Sequence, residues 1–162
     1  MARAAAFTLV ELILVMALLC VILGVAAPSL SRSMHARALT QEAARILALT
    51  EYARDEATSQ GVPMVVWMDA ATGRFGAKPK TGYETAAVRG KEFKLPDGLH
   101  FETVKNAIPA AGGETDAAEF APDGSLDPAS QKSVEVADRS DSRISVAQTT
   151  DAWGYEIVRE TR

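Results

Sequence analysis

The chain has 162 residues, of which 48% are hydrophobic and 23% charged, a globular composition with room for one domain and an apolar appendage. Its 17 basic and 21 acidic side chains leave a formal net charge of −4, the wrong sign for a protein that tracks nucleic-acid phosphates, so nucleic acid is disfavoured as a partner. Cys20 is the single cysteine, which excludes an internal disulfide and a thiolate metal cluster.

The first element is apolar. Residues 1–6, Met-Ala-Arg-Ala-Ala-Ala, form a short leader with one arginine, and across residues 7–27 the polar side chains are Thr8 and Glu11, apart from the weakly polar thiol of Cys20. At 1.5 Å per residue a helix of that length spans roughly 30 Å, the hydrocarbon thickness of a bilayer. An ionised side chain near the centre of a membrane helix costs roughly 2.5–3.5 kcal/mol on insertion scales, so Glu11 calls for a partner of opposite charge. Two fates compete for this segment. A signal peptidase cutting after Gly24-Val25-Ala26 would release a soluble exported protein beginning at Ala27. Against it, Glu11 interrupts the apolar run, Pro28 crowds the cut, and the sequence beyond continues as a good helix. A cut between Ala6 and Phe7 would instead keep the helix on the mature chain, and the cation nearest to Glu11 would then be the new α-amine of Phe7, its own or a neighbour's.

The string Phe7-Thr8-Leu9-Val10-Glu11-Leu12, with Pro28 twenty-one positions beyond Phe7, closely resembles the class III signal of type IV pilins and type II secretion pseudopilins. The resemblance implies that a membrane prepilin peptidase cleaves between Ala6 and Phe7 and methylates the Phe7 amine. It also implies that Glu11 serves assembly and that Pro28 kinks the helix, as a residue lacking a backbone donor does. Where the family usually carries Gly before the cut, this chain has Ala6. Charge leaves the orientation open, since Arg3 precedes the apolar run while Arg32 and Arg37 follow it. The resemblance implies a cytoplasmic N-terminus and a periplasmic C-terminal domain.

Beyond Ser29-Leu30-Ser31 the helical period resumes. Leu39, Ala43, Ile46, Ala53 and Ala57 make one apolar stripe, with Glu42, Arg45, Arg54 and Asp55 falling largely elsewhere and Leu49 and Tyr52 extending the docking face. Gly61 ends the helix and Pro63 prevents its resumption. The expectation is one helix over 7–60, transmembrane over about 7–27 and docked on a domain thereafter.

From residue 61 onward the period changes from near four to two, the mark of strands. Pro63-Met64-Val65-Val66-Trp67-Met68, apolar on both faces, predicts a sandwiched strand. Asp69-Ala70-Ala71-Thr72-Gly73 turns the chain into Arg74-Phe75-Gly76, and Phe93-Lys94-Leu95, Pro96-Asp97-Gly98 and the alternating 99–104 predict a hairpin. Residues 106–117, rich in Ala, Gly and Pro, read as a mobile loop. Later strands are expected at 119–121, 133–137, 143–147 and 155–158, before a charged tail at 159–162.

The segment Phe120-Ala121-Pro122-Asp123-Gly124-Ser125, with Val134-Glu135-Val136 and Arg143-Ile144-Ser145-Val146 behind it, resembles the C-terminal pattern of the H-type minor pseudopilins of type II secretion and the related T-type minor pilins. Where that family commonly has a Thr-Gly turn before the final strand, this chain has Thr150-Asp151-Ala152-Trp153-Gly154, which leaves the register of the last strand open. A C-terminal cysteine pair, which staples many pilins, is missing, and this leans toward a pseudopilin.

Chemistry finds little foothold. His35 and His100 lie far apart, and neither has a Cys or His at metal-ligand spacing. Asp123, Asp127, Asp138 and Asp141 sit in expected turns where a pair of them could hold Ca²⁺, but no complete oxygen-ligand loop is spelled out and solvated turns are the simpler reading. Ser125 and Ser142 have no histidine in sequence placed to activate them, and no phosphate-cradling glycine loop is present. The sequence therefore predicts an α+β, type IV pilin-like protein with no enzyme activity and no cofactor: a leader at 1–6, a long helix at 7–60 and a β-rich periplasmic domain at 61–162. The implied role is that of an inner-membrane minor pseudopilin that assembles with other pseudopilins or pilins, meets a prepilin peptidase and an inner-membrane assembly platform, and aids export of folded proteins. A minor pilin of a type IV pilus, initiating assembly or taking up DNA, is the alternative within the family. A soluble periplasmic protein released by signal peptidase is the alternative outside it.

Overall fold

The computed structural model describes residues 8–84, 88–102, 108–109 and 114–158, with side chains described except at 25–35 and 108–109. Among the described residues one helix, α1 (Leu9–Gln60), leads into nine strands: β1 (Met64–Asp69), β2 (Arg74–Pro79), β3 (Lys91–Lys94), β4 (Leu99–Phe101), β5 (Ile108–Pro109), β6 (Thr115–Phe120), β7 (Ser133–Asp138), β8 (Arg143–Gln148) and β9 (Tyr155–Val158). The chain divides into two compact units, Met1–Arg37 and Ala38–Arg162.

In the second unit the later turns of α1 supply Leu39, Ala43, Ile46, Leu49, Ala53 and Ala57 to one hydrophobic core, each no more than 3% exposed. Three of these are alanines, and their small side chains let the helix backbone lie close to the strands; Tyr52 and Leu47 flank the stripe. Gly61 takes the left-handed conformation at φ 66°, which caps the helix without a Cβ penalty.

Five strands form one antiparallel sheet in the order β3-β2-β1-β6-β5, and four form a second in the order β4-β7-β8-β9. In β1 the alternate residues Met64, Val66 and Met68 enter the core, and Val65 and Trp67 on the opposite face are buried as well, as expected for a central strand apolar on both faces. Trp67 covers Gly76 of the neighbouring β2, and Lys78 Nζ lies 5.5 Å from the centroid of its ring. The β1–β2 turn is built by Asp69, whose Oδ1 accepts the Ala71 N–H at 2.9 Å and whose Oδ2 accepts the Thr72 hydroxyl at 2.5 Å. These bonds favour the ionised form and lower the Asp69 carboxyl pKa, the Thr72 hydroxyl foremost.

Three expectations need correction. The predicted hairpin over 93–104 does not form: Leu99 N–H does donate to Pro96 O at 3.2 Å, but this turn passes the chain from one sheet to the other, with β3 pairing β2 and β4 pairing β7. Leu95 N–H donates to Gly73 O at 2.8 Å, so β3 is already committed to the β1–β2 side before the turn is reached. Phe75 then joins the two sheets, 5.7 Å from Phe93 and edge-on to Phe101 at 5.8 Å between centroids.

The predicted loop over 106–117 contains two strands, β5 and the start of β6, with Glu114 just before β6; residues 106–107 and 110–113 lie outside the described residues. A register shift between Val66 and Trp67 pairs them with Ala118 and Asp116, leaving Ala117 as an extra residue, so β6 has no clean alternation to read. The third correction concerns Glu42, expected largely off the apolar stripe but only 3% exposed. Its carboxylate accepts a hydrogen bond from Arg45 Nη1 at 3.1 Å, and the Arg45 guanidinium lies 5.6 Å from the Phe93 centroid.

Candidate functional site

Thr8 precedes the first helical residue and caps it. The Glu11 N–H donates to Thr8 Oγ1 at 3.3 Å, and the Leu12 N–H donates to Thr8 O at 3.2 Å. Apolar periodicity conceals this role, but the Thr8-x-x-Glu11 spacing is the sequence mark of a capping box. Glu11 therefore stands in the first turn of α1, where the partial positive charge of the helix N-terminus favours a carboxylate. That effect accounts locally for part of the tolerance of a charge in this apolar segment.

Around Glu11 the helix is bare. Its large apolar side chains are exposed all the way round, from 43% at Val15 to 75% at Leu9, and Cys20 is exposed among them. A helix apolar on every face has no core of its own to enter and is suited to a surrounding of lipid or of other helices. Among the described residues, no helix is long and apolar enough to cross a membrane. Ala6 and Phe7 lie outside the described residues, so the expected cleavage between them and the pairing of Glu11 with the Phe7 amine remain expectations. The backbone of α1 continues through Pro28, where a kink was expected, and the Pro28 side chain is outside the description.

In the second unit the predicted Phe120–Ser125 signature forms a tight turn on α1. Ala121 N–H donates to Ser125 O at 2.9 Å, and Asp123 Oδ1 accepts both the N–H and the hydroxyl of Ser125 at 2.9 and 2.6 Å. Gly124 has φ 82° and lies so close to the helix that a Cβ would stand 3.0 Å from Thr58 Cγ2, which accounts for glycine at this position.

The other acidic turns are engaged in the same way. Asp127 Oδ1 accepts the Ala129 N–H at 2.7 Å, Asp138 Oδ1 accepts the N–H groups of Ser140 and Ser142 at 2.8 and 3.0 Å, and Asp141 pairs with Arg143 at 2.6 Å. Among the described residues no group of three or more His, Cys, Asp or Glu side chains is arranged to hold a metal ion. His100 is exposed on β4, and the His35 side chain is outside the description. The Ser142 hydroxyl is 3.3 Å from that of Ser140, and neither it nor Ser125 bonds a histidine among the described residues.

The open register of the last strand is settled by the β8–β9 turn. Gln148 pairs with Tyr155 and Ser145 with Val158, while Thr149 closes the loop by donating its N–H to Gly154 O at 2.9 Å. Arg54 Nη1 reaches from α1 to Trp153 O at 3.3 Å. Helix and turn enclose a cleft of about 190 Å³ whose floor includes Phe120 and Tyr155. The Tyr155 hydroxyl donates to Gln131 O at 2.7 Å, and burial pushes its phenol pKa well above the ordinary range.

No protein-family model matches the sequence, and no curated protein sequence matches it either. Solved structures do. The minor pseudopilin EpsH from the type 2 secretion system of Vibrio cholerae superposes with a TM-score of 0.54 at 15% identity, covering 76% of this chain and 98% of that one. A second EpsH structure gives 0.55 at 12% identity, covering 78% and 96%. The type IV minor pilin FimU of Pseudomonas aeruginosa gives 0.52 at 17% identity, covering 78% and 91%. At such identities the likeness speaks for the fold, and the fold of this chain is that of the type IV pilin-like minor pseudopilins and minor pilins.

Proposed function

We propose that this chain is a minor pseudopilin, a structural subunit without enzyme activity that enters a short periplasmic filament of a type II secretion system. The observation that carries the reading is the pairing of a pilin-like fold with an apolar N-terminal helix that has no core to enter and holds a single carboxylate, Glu11, in its first turn. In this reading a prepilin peptidase cuts between Ala6 and Phe7 and methylates the Phe7 amine. The residues 7–27 segment then anchors the subunit in the inner membrane with its β-rich domain in the periplasm. Glu11 and the Phe7 amine of the same or a neighbouring subunit pair as the helix leaves the bilayer for the filament's helical bundle, where an unpaired carboxylate would be costly. An inner-membrane assembly platform and other pseudopilins are the partners this requires. A minor pilin of a type IV pilus is the second reading, favoured by the nearly equal likeness to FimU.

Intact-protein mass spectrometry of the native chain from membranes, with fragmentation of its amino terminus, is the test. A terminus at N-methylated Phe7 is expected. A soluble chain beginning at Ala27 would overturn the reading and make Glu11 part of a discarded signal. Replacing Glu11→Gln should impair filament incorporation while leaving membrane insertion intact, as read by shearing and fractionation; normal incorporation would refute the pairing.

A further inference from the structure

We propose that the cleft between α1 and the β8–β9 turn is a receptor for one basic side chain, an arginine or lysine, presented by a partner subunit. Its volume of about 190 Å³ falls below the roughly 300–1,000 Å³ of pockets that enclose small-molecule ligands, and suits a single long side chain. Trp153, at 56% exposure the most open large aromatic of this unit, lines the cleft together with Glu51, Arg54 and Asp151.

The backbone beneath the tryptophan is pinned. Its carbonyl accepts from Arg54 Nη1 at 3.3 Å, and its N–H donates to Asp151 Oδ1 at 3.2 Å. The turn on either side of the indole is thus held in place while the ring stands exposed, so less ordering cost remains to be met on binding.

Charge selects the occupant. The Thr149 hydroxyl, donating at 2.5 Å, and the Trp153 N–H both land on Asp151 Oδ1, lowering the pKa of this carboxyl; Oδ2 accepts no bond among the described residues. Glu51 is exposed and has no ion-pair partner among the described residues. Arg54 is the one cation lining the cleft; it donates to the Trp153 carbonyl and its charge also acts on Asp151, and two carboxylates against one guanidinium leave the lining net negative by one charge. A cation over the indole face is attracted by two carboxylates and repelled by one guanidinium, a net attraction, and an acidic side chain meets the reverse balance and gains nothing from the ring.

The inference rests on the proposed function only for the partner being another filament subunit. The full chain, isotopically labelled and held in detergent micelles, is titrated with the peptide acetyl-Gly-Arg-Gly-amide and with its citrulline counterpart, which keeps the shape and lacks the charge. The NMR signals of the Trp153 indole N–H and the Gly154 amide report binding, and buried Trp67 serves as the internal reference. Saturable shifts with the arginine peptide are expected, about tenfold weaker with citrulline and with the Glu51→Gln variant, whose exposed helix position leaves the fold unaltered. Absent shifts, or equal shifts with both peptides, would overturn the proposal. The peptide titration reads the cleft and the mass of the amino terminus reads the filament role, so one can fail without the other.

Discussion

Tyr155 combines a packed ring with a committed hydroxyl. It is 8% exposed and donates to Gln131 O at 2.7 Å, while Gln131 Oε1, also buried, has no hydrogen-bond partner among the described residues. Because the folded-state pKa of the phenol lies above the unfolded value of 10.0, the folded chain holds its proton longer than the unfolded one. The contribution is fully present below pH 10 and is lost as pH rises above it. Replacing Tyr155→Phe is expected to cost about 1–3 kcal/mol at neutral pH through the orphaned carbonyl, and to flatten the loss of stability above pH 10, as read by urea denaturation across pH. At the same scale Glu42 shows how little a residue's type says of its place: a carboxylate one position from Ala43 is drawn into the docked face and is held there by Arg45.

The docked part of α1 and the paired strands stabilise each other. Ile46 is fully buried between helix and sheets, so Ile46→Ala should destabilise the folded unit by roughly 2–5 kcal/mol, measured by chemical denaturation. Gly76 tests close approach between strands: a Cβ there would collide with the Lys91 carbonyl of β3 and stand 2.9 Å from the Trp67 ring of β1. Gly76→Ala is expected to cost about 1–3 kcal/mol in the same assay and to shift the near-ultraviolet signal of Trp67. The element boundaries at Gly61, at the Asp69–Gly73 turn and at β7, β8 and β9 were legible because each is marked by local chemistry: a left-handed glycine, an Asp that bonds its own turn, an alternating run. The missed hairpin and loop share a different cause. Leu95 and β6 are directed by strands distant in sequence, and neither the β2 pairing nor the bulge at Ala117 leaves a periodic trace.

Among the described residues, every member of the hydrophobic core falls within Ala38–Arg162, which is also one compact unit. A chain beginning at Ala38 is therefore expected to fold in water with the near-ultraviolet spectrum and cooperative melting of the full chain. Loss of cooperativity would show that the bare turns of α1 contribute to the fold. The full chain, by contrast, carries exposed Leu, Val, Ile and Met side chains along residues 9–23 and should need detergent or lipid to remain monodisperse. In the proposed filament role, the helix would exchange lipid for other helices while the folded unit keeps its own core.

By itself the sequence determined the long helix, its apolar first half with the lone Glu11, the buried stripe from Leu39 to Ala57 and the positions of most strands. Each of these is a matter of local period, capping or turn chemistry, written within a few residues. Only the tertiary structure decided which strands share a sheet, that Pro96-Asp97-Gly98 crosses between sheets, that Glu42 lies buried, and that Trp153 and Arg54 meet across a cleft. Arg54 and Trp153 stand 99 positions apart, and such contacts follow from how apolar faces of separate elements satisfy one another at once.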